Sequence, residues 1–226
     1  MASNPRAYTG HVDSEGGPSM RDLGALSITK MSVGPMDNNA YLLVCRSTHH
    51  AVLIDAANDT ERLLALLADQ QPPVKLARVI TTHRHADHWQ ALAAVVAATD
   101  VAVVAGAADA DELPVPVDIR LVHGDRVTVG ELSLEVIALR GHTPGSIALR
   151  YNDPAGTSHL FTGDSLFPGG PGRTTSSADF TSLMDDLETR VFEVMPDDTW
   201  VYPGHGDDTT LGAERPNVGG WRARGW

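Results

Sequence analysis

The run Thr82-His83-Arg84-His85-Ala86-Asp87-His88 constrains this chain more than any other stretch. It sets three imidazoles and a carboxylate within positions 83–88. Each of those side chains ligates zinc and similar divalent cations. Residues 79–82 read as a short buried strand and 88–98 as a helix. The cluster therefore falls on a strand-to-helix turn, where the carboxyl end of a strand presents a site. His83 and His85, two apart on an extended backbone, point the same way. Asp87 and His88 come after the turn and face a second point in space. That arrangement suits two cations side by side. Without a cation, so dense a group of imidazoles and a carboxylate is costly in a folded interior. A purely structural role is the poorer reading.

The 226 residues fit one domain with a sizeable core, and a hydrophobic content of 42% is ordinary for a globular chain. The single Cys45 excludes an intramolecular disulfide and lies in an apolar run, so it reads as a buried strand cysteine. No secretory signal opens the chain, and the most apolar stretch, 91–108, is broken by Thr99 and Asp100. The expectation is a cytoplasmic protein without a membrane span. A net charge of −12 argues against a nucleic-acid surface, which needs a basic face.

Residues 1–24, rich in Gly, Ser, Pro and charge, read as a flexible or surface-draped lead-in to a single domain over 25–226. Strand-like runs follow at 26–33, 40–45, 51–55, 78–82, 101–104, 118–122, 126–129, 132–139, 146–151, 159–162 and 199–202. Helical spacing marks 58–69, 88–98 and 178–195, the last with Leu183, Leu187, Val191 and Val194 expected inward. Many strands join through hairpins, so two mixed β-sheets with helices outside fit better than one parallel sheet.

Three later segments are able to complete a two-cation site. Gly141-His142-Thr143-Pro144-Gly145 and Tyr202-Pro203-Gly204-His205-Gly206 each place a glycine-bracketed histidine after a strand. Thr162-Gly163-Asp164-Ser165-Leu166-Phe167 places an aspartate after an apolar strand, where it needs a partner charge or hydrogen bonds. Each is weak alone; together they follow one rule, since all four candidate segments follow strands.

In these four motifs, taken in order over roughly residues 26–215, the chain resembles the metallo-β-lactamase superfamily. The resemblance implies an α/β (α+β) fold, a four-layer αββα sandwich with metals at the strand ends. It implies that His83, His85 and His142 hold one metal, that Asp87, His88 and His205 hold the second, and that Asp164 bridges them. Two divalent ions are implied, with zinc the leading choice and iron or manganese open, because mixed His/Asp ligands suit all three. Asp164 stands where the main zinc β-lactamases carry cysteine. The loop Gly169-Gly170-Pro171-Gly172-Arg173-Thr174 and the run after His205 resemble glyoxalase II and its short bacterial relatives. That likeness implies hydrolysis of a hydroxyacyl thioester by a metal-bridging hydroxide, with Asp87 and Asp164 in the catalytic centre. The alternatives are a mononuclear iron persulfide dioxygenase using His83, His142 and Asp164, or a lactonase or esterase. Full-length glyoxalase II holds the glutathione moiety with a helical C-terminal domain. Residues 206–226 are too few to supply one, so the expected substrate is a different thiol ester or one loosely recognised.

Other residues carry softer expectations. Trp89 lines the pocket mouth or packs beneath the helix. Arg173 meets a substrate carboxylate or is solvated. Asp55 ends an apolar strand and braces the metal loops as an acceptor. His11, His49, His50, His123 and His159 lack the turn context and read as surface or structural. Trp221 and Trp226 dock on the body or on a partner subunit. The sequence leaves the oligomeric state, the thiol and the acyl group open. A metal-free interaction protein is disfavoured by the full set of seven ligand residues.

Overall fold

The computed structural model describes residues 8–14 and 16–225. In chain order the strands are β1 (Ser19–Asp22), β2 (Leu26–Val33), β3 (Asn38–Cys45), β4 (His50–Ile54), β5 (Lys75–Thr81), β6 (Ala102–Gly106), β7 (Ile119–Leu121), β8 (Arg126–Val129), β9 (Leu132–Ala138), β10 (Ile147–Asn152), β11 (Ser158–Gly163), β12 (Leu166–Phe167), β13 (Gly170–Pro171), β14 (Trp200–Pro203) and β15 (Thr209–Thr210). The α-helices are α1 (Thr60–Ala68), α2 (Leu92–Thr99), α3 (Ser177–Leu187), α4 (Leu211–Glu214) and α5 (Val218–Arg224).

Strands β1 to β7 form one sheet in sequence order, antiparallel through β4 and parallel from β4 to β7. The second sheet runs β15-β14-β11-β10-β9-β8, with β11 and β14 parallel and the other pairs antiparallel. Both sheets are mixed, as the sequence predicts. Period-2 alternation sends one face of each strand between the sheets. Leu26, Ile28, Tyr41, Leu43, Val52, Ile54, Phe161 and Tyr202 belong to that shared core. The opposite face of the first sheet packs under α1 and α2 through Leu42, Leu53, Leu63 and Leu92. The outer face of the second sheet packs under α3 and α5 through Leu160, Leu183, Leu187 and Trp221. The result is helices, sheet, sheet, helices. Among the described residues, no helix is long and apolar enough to cross a membrane.

Three expectations need correction. The expected lead-in contains β1, which pairs antiparallel with β2 from Ser19↔Lys30 to Asp22↔Ser27. An edge strand is held by backbone hydrogen bonds, and Ser-Met-Arg-Asp shows no apolar alternation that would reveal it. Gly10 and Val12 are also buried; residues 1–7 lie outside the described residues. The expected helix over 88–98 begins only at Leu92, because the amides of Gln90 and Ala91 bond the carbonyls of Ala57 and Ala56 at 3.0 and 3.1 Å. The expected helix over 178–195 ends its α form at Leu187 and widens into a π turn over Glu188–Phe192. That turn carries an extra residue and moves the buried position from Val194 to Met195, which is 4% exposed. Leu183, Leu187 and Val191 are fully buried, but Val194 is 56% exposed.

Cys45 is buried in β3, as expected. Trp221 is buried and meets Phe192 at a centroid distance of 6.1 Å, whereas Trp226 lies outside the described residues. Leu183→Ala is expected to lower unfolding free energy by ~2–5 kcal/mol, the range for a buried leucine. Val194→Ala is expected to change it by less than ~0.5 kcal/mol. Urea denaturation distinguishes the two.

Candidate metal centre

The parallel strands β4 to β6 end at one pole of the sandwich, and there the sequence-predicted side chains meet. Strand β5 ends at Thr81 and delivers His83 and His85. A 3₁₀ turn over Ala86–His88 then swings Asp87 and His88 to a second point. The second sheet supplies His142 after β9, Asp164 directly after β11, and His205 after β14. Among the described residues, three sets of side chains bring possible ligand atoms within 4.8 Å of one another: His83, His85 and His142; Asp87, His88 and His205; and His83, His88 and Asp164.

The inward atoms are His83 Nε2, His85 Nδ1 and His142 Nε2 in the first trio, separated by 3.1, 2.8 and 3.2 Å. In the second trio, His88 Nε2 lies 3.2 Å from His205 Nε2, and Asp87 Oδ2 lies 3.5 and 3.2 Å from those two atoms. Asp164 stands between the trios. Its Oδ1 lies 3.3 Å from His88 Nε2, and its Oδ2 lies 3.6 Å from His142 Nε2 and 3.5 Å from His205 Nε2.

The outward ring atoms fix the tautomers. His142 Nδ1 faces the Arg173 carbonyl at 2.6 Å, and His205 Nδ1 faces the Met36 carbonyl at 2.9 Å. His88 Nδ1 faces Asp55 Oδ2 at 2.9 Å. His83 Nδ1 lies 3.1 Å from Thr82 Oγ1, whose own proton goes to Asp55 Oδ2 at 2.8 Å. These four partners are acceptors, so each holds an N–H outward; His83 and His142 thereby turn a lone pair inward, and His88 does so once its second proton is displaced. The inward lone pairs of His83 Nε2 and His142 Nε2, 3.2 Å apart, repel unless a positive centre stands between them. Tetrahedral nitrogen ligands on zinc, at ~2.0–2.1 Å, lie about 3.3 Å from one another. The observed separations of 2.8–3.2 Å approach that spacing. Asp164 Oδ1 is also buried without an aligned hydrogen-bond partner. The donor set therefore fits a dinuclear divalent centre.

Electrostatics divides the trios. Burial, with the neighbouring imidazoles, holds His83 well below the usual histidine range. Burial also lowers His85 and His142. His88 goes the other way: burial lowers it, but hydrogen bonds and attraction from Asp164 and Asp55 prevail and push it up to about 10. His205 is raised against its burial, mainly by Asp164. Burial raises Asp164, yet His205 and His88 outweigh it and keep the carboxylate ionised.

Asp55 behaves as predicted, accepting from the Thr82 amide at 2.7 Å besides its bonds to Thr82 Oγ1 and His88. Trp89 matches the packed alternative: its indole N–H donates to the Arg84 carbonyl at 2.8 Å, and its ring packs against the α1–α2 core. Arg173 reaches the centre through its carbonyl, while its side chain is exposed. His159 is structural, fully buried beside the Tyr202 hydroxyl at 2.9 Å. Sequence reasoning missed two residues. Asn38 donates from Nδ2 to Asp87 Oδ2 at 2.9 Å. Asp109, fully buried, accepts from the amides of Arg84 and Gly145 and from Thr143 Oγ1, tying the His83–His85 loop to the His142 loop. Glycines permit the close approach of the loops. A Cβ at Gly204 would lie 2.1 Å from Asp164 Oδ1, and one at Gly163 would lie 2.6 Å from Thr82 Oγ1.

The family described as the metallo-beta-lactamase superfamily matches residues 33–205. The hydroxyacylglutathione hydrolases of Fuscovulum blasticum and Rhodospirillum rubrum are 37% and 36% identical over 171 and 169 residues. Each alignment covers 75% of this chain, and the chain spans only 62% of the length of each relative. Among solved structures, ETHE1 from Myxococcus xanthus is 33% identical at a TM-score of 0.72, covering 85% of this chain and 84% of that one. TTHA1623 in a di-iron-bound form is 33% identical at 0.68, covering 82% and 96%. BLEG-1, a B3 metallo-beta-lactamase, is 28% identical at 0.73, covering 84% and 96%.

The two trios are expected to load differently with pH. His88 carries a proton below about 10, and a cation must displace it. The imidazoles of the first trio, held low, are already neutral at pH 7. In zinc titrations between pH 8 and about pH 6.5, affinity at the second trio is expected to fall by about tenfold per pH unit for each proton displaced, with little change at the first. Calorimetry in buffers of different ionisation enthalpy measures the released proton; equal pH dependence at both sites would contradict the assignment.

Proposed function

The chain belongs to the metallo-β-lactamase superfamily, and from that membership and the geometry of its centre we propose that it is a metal-dependent hydrolase of hydroxyacyl thioesters, of the glyoxalase II type. The observation that carries the reading is Asp164, a carboxylate rather than a thiol, set between two three-residue ligand sets. His83, His85 and His142 would hold one cation and Asp87, His88 and His205 the other, with Asp164 placed to serve both. Identity of about 36% to hydroxyacylglutathione hydrolases supports the reaction class. Zinc is the leading metal; likeness to a structure in a di-iron-bound form keeps iron in the comparison.

When bound, the cation pair supplies Lewis acidity that activates water for attack at the thioester carbonyl. The carbon–sulfur bond breaks and the thiolate leaves; thiols are stronger acids than alcohols, so it departs readily. The protein's own residues prepare that event. Asp55 fixes the His88 tautomer directly and that of His83 through Thr82. Asn38 holds one oxygen of Asp87, leaving the other to orient the attacking water. Beside the His142 loop, Pro171, Arg173, Phe180 and Arg224 line a groove of about 330 Å³. Its two guanidinium groups suit a carboxylate-bearing thiol. The complete second trio gives a second cation its ligands; the single-iron persulfide dioxygenase is the alternative, and metal content with oxygen consumption separates the two.

Metal quantification of the purified protein, paired with a panel of thioesters, lactones, a β-lactam and a thiol persulfide, tests the proposal. Thioester turnover without oxygen consumption is expected; oxygen uptake on the persulfide would favour the single-iron reading. Asp164→Ala is expected to lose the second equivalent of metal and at least about 100-fold in turnover. Retention of two equivalents by elemental analysis would contradict the bridging role. Arg173→Ala is expected to raise KM about tenfold for carboxylate-bearing thioesters with kcat nearly unchanged, the signature of binding lost equally from ground and transition states.

A further inference from the structure

We propose that Lys30 and Asp208, with the segment 8–13 laid across them, form a clamp that positions His205 in the second trio. The proposal rests on the reading of His205 as a ligand. Lys30 lies on β2 in register with Leu26 and Ile28, so its stem enters the space between the sheets. Its ammonium group is fully buried and uses all three donors: the Gly10 carbonyl at 2.8 Å, the Gly206 carbonyl at 2.7 Å and Asp208 Oδ1 at 2.7 Å. Asp208 is equally buried, and its Oδ2 accepts from the Tyr8 hydroxyl at 2.5 Å and from Trp200 Nε1 at 2.8 Å.

The bonds converge on the loop that carries His205. Gly206, its immediate neighbour, has its carbonyl held by Lys30 and by Asn39 Nδ2 at 2.9 Å. The Asp208 amide donates to the Gly10 carbonyl at 3.1 Å, and His11 Nδ1 faces Asp207 Oδ1 at 2.6 Å. Residues 206, 207 and 208 are thus each tied to the body or to the segment 8–13. A buried ion pair is a poor source of net stability, because desolvation offsets attraction. What this pair supplies is placement: a fixed cation aimed at a loop carbonyl one residue from the ligand. Lys30, Asp208 and the segment 8–13 lie outside the stretch 33–205 that matches the superfamily.

The test uses the full chain with both charges removed, Lys30→Met/Asp208→Leu, and Tyr8→Phe as a mild second variant. The first readout is amide hydrogen exchange in the metal-free protein. The amides of Gly206 and Asp208 are expected to exchange at least about tenfold faster in the double variant, while β4, β5, β9 and β10 keep wild-type protection. The second readout is titration with zinc alone. The second equivalent is expected to weaken about 10–100-fold and the first by less than about twofold. Wild-type exchange over 204–208 in the folded double variant would overturn the clamp, as would equal weakening of both equivalents. If the double variant does not fold, Tyr8→Phe decides: faster exchange confined to 206–208 supports the clamp, and none overturns it. If the wild-type protein takes up only one zinc, the ligand reading of His205 fails, and the exchange arm still decides the clamp.

Discussion

Two ring nitrogens, His83 Nε2 and His142 Nε2, that turn their lone pairs toward one another at 3.2 Å are the condition on which this structure is built. Such a group does not assemble by hydrophobic collapse. It is held by what stands behind the rings: two backbone carbonyls, a threonine hydroxyl and the carboxylate of Asp55. Each acceptor is itself fixed in a strand end or loop whose backbone is bonded to the sandwich. The centre is therefore prepared by the protein, and a cation relieves a repulsion already present.

The two sheets contribute unequal halves. The first supplies the dense run from His83 to His88; the second supplies His142, Asp164 and His205 singly. Their relative placement depends on the core between the sheets, where Tyr41 meets Phe161 edge-on at 5.2 Å and Phe161 stacks on Tyr202 at 4.6 Å. The Tyr41 hydroxyl also donates to the Pro203 carbonyl at 2.6 Å, two residues before His205. Apolar packing and ligand geometry are thus joined through one side chain. Displacing one sheet against the other would split each trio, drawing His142 from His83 and His85, and His205 from Asp87 and His88.

Much of this was legible in the sequence because the chemistry is local. Strand-end turns with glycine around a histidine are readable in a single pass, and Asp55 stood out as a carboxylate closing an apolar strand. The missed features lack local signals. Asp109 sits in an alanine-rich stretch and acts only because the Arg84 and Gly145 amides meet it in space. Val194 keeps the helical spacing of Leu187 and Val191, and only the π turn moves it outward. Strand β1 pairs through its backbone and has no apolar pattern to show. Lys30 left one clue, a charge inside the otherwise uncharged run Leu-Ser-Ile-Thr-Lys-Met-Ser-Val, where a buried partner is required. The partner, Asp208, lies 178 positions away and no periodicity points to it.

Gly204 limits how the pocket is able to diversify. Its hydrogen stands where a methyl group would strike both Asp164 Oδ1, at 2.1 Å, and the His88 ring, at 2.7 Å. Even alanine there displaces two candidate ligands at once. Changes of substrate preference, by descent or by engineering, must therefore be written elsewhere on the rim, in the loop over 169–175 and along α5, where side chains reach solvent without touching the ring cluster.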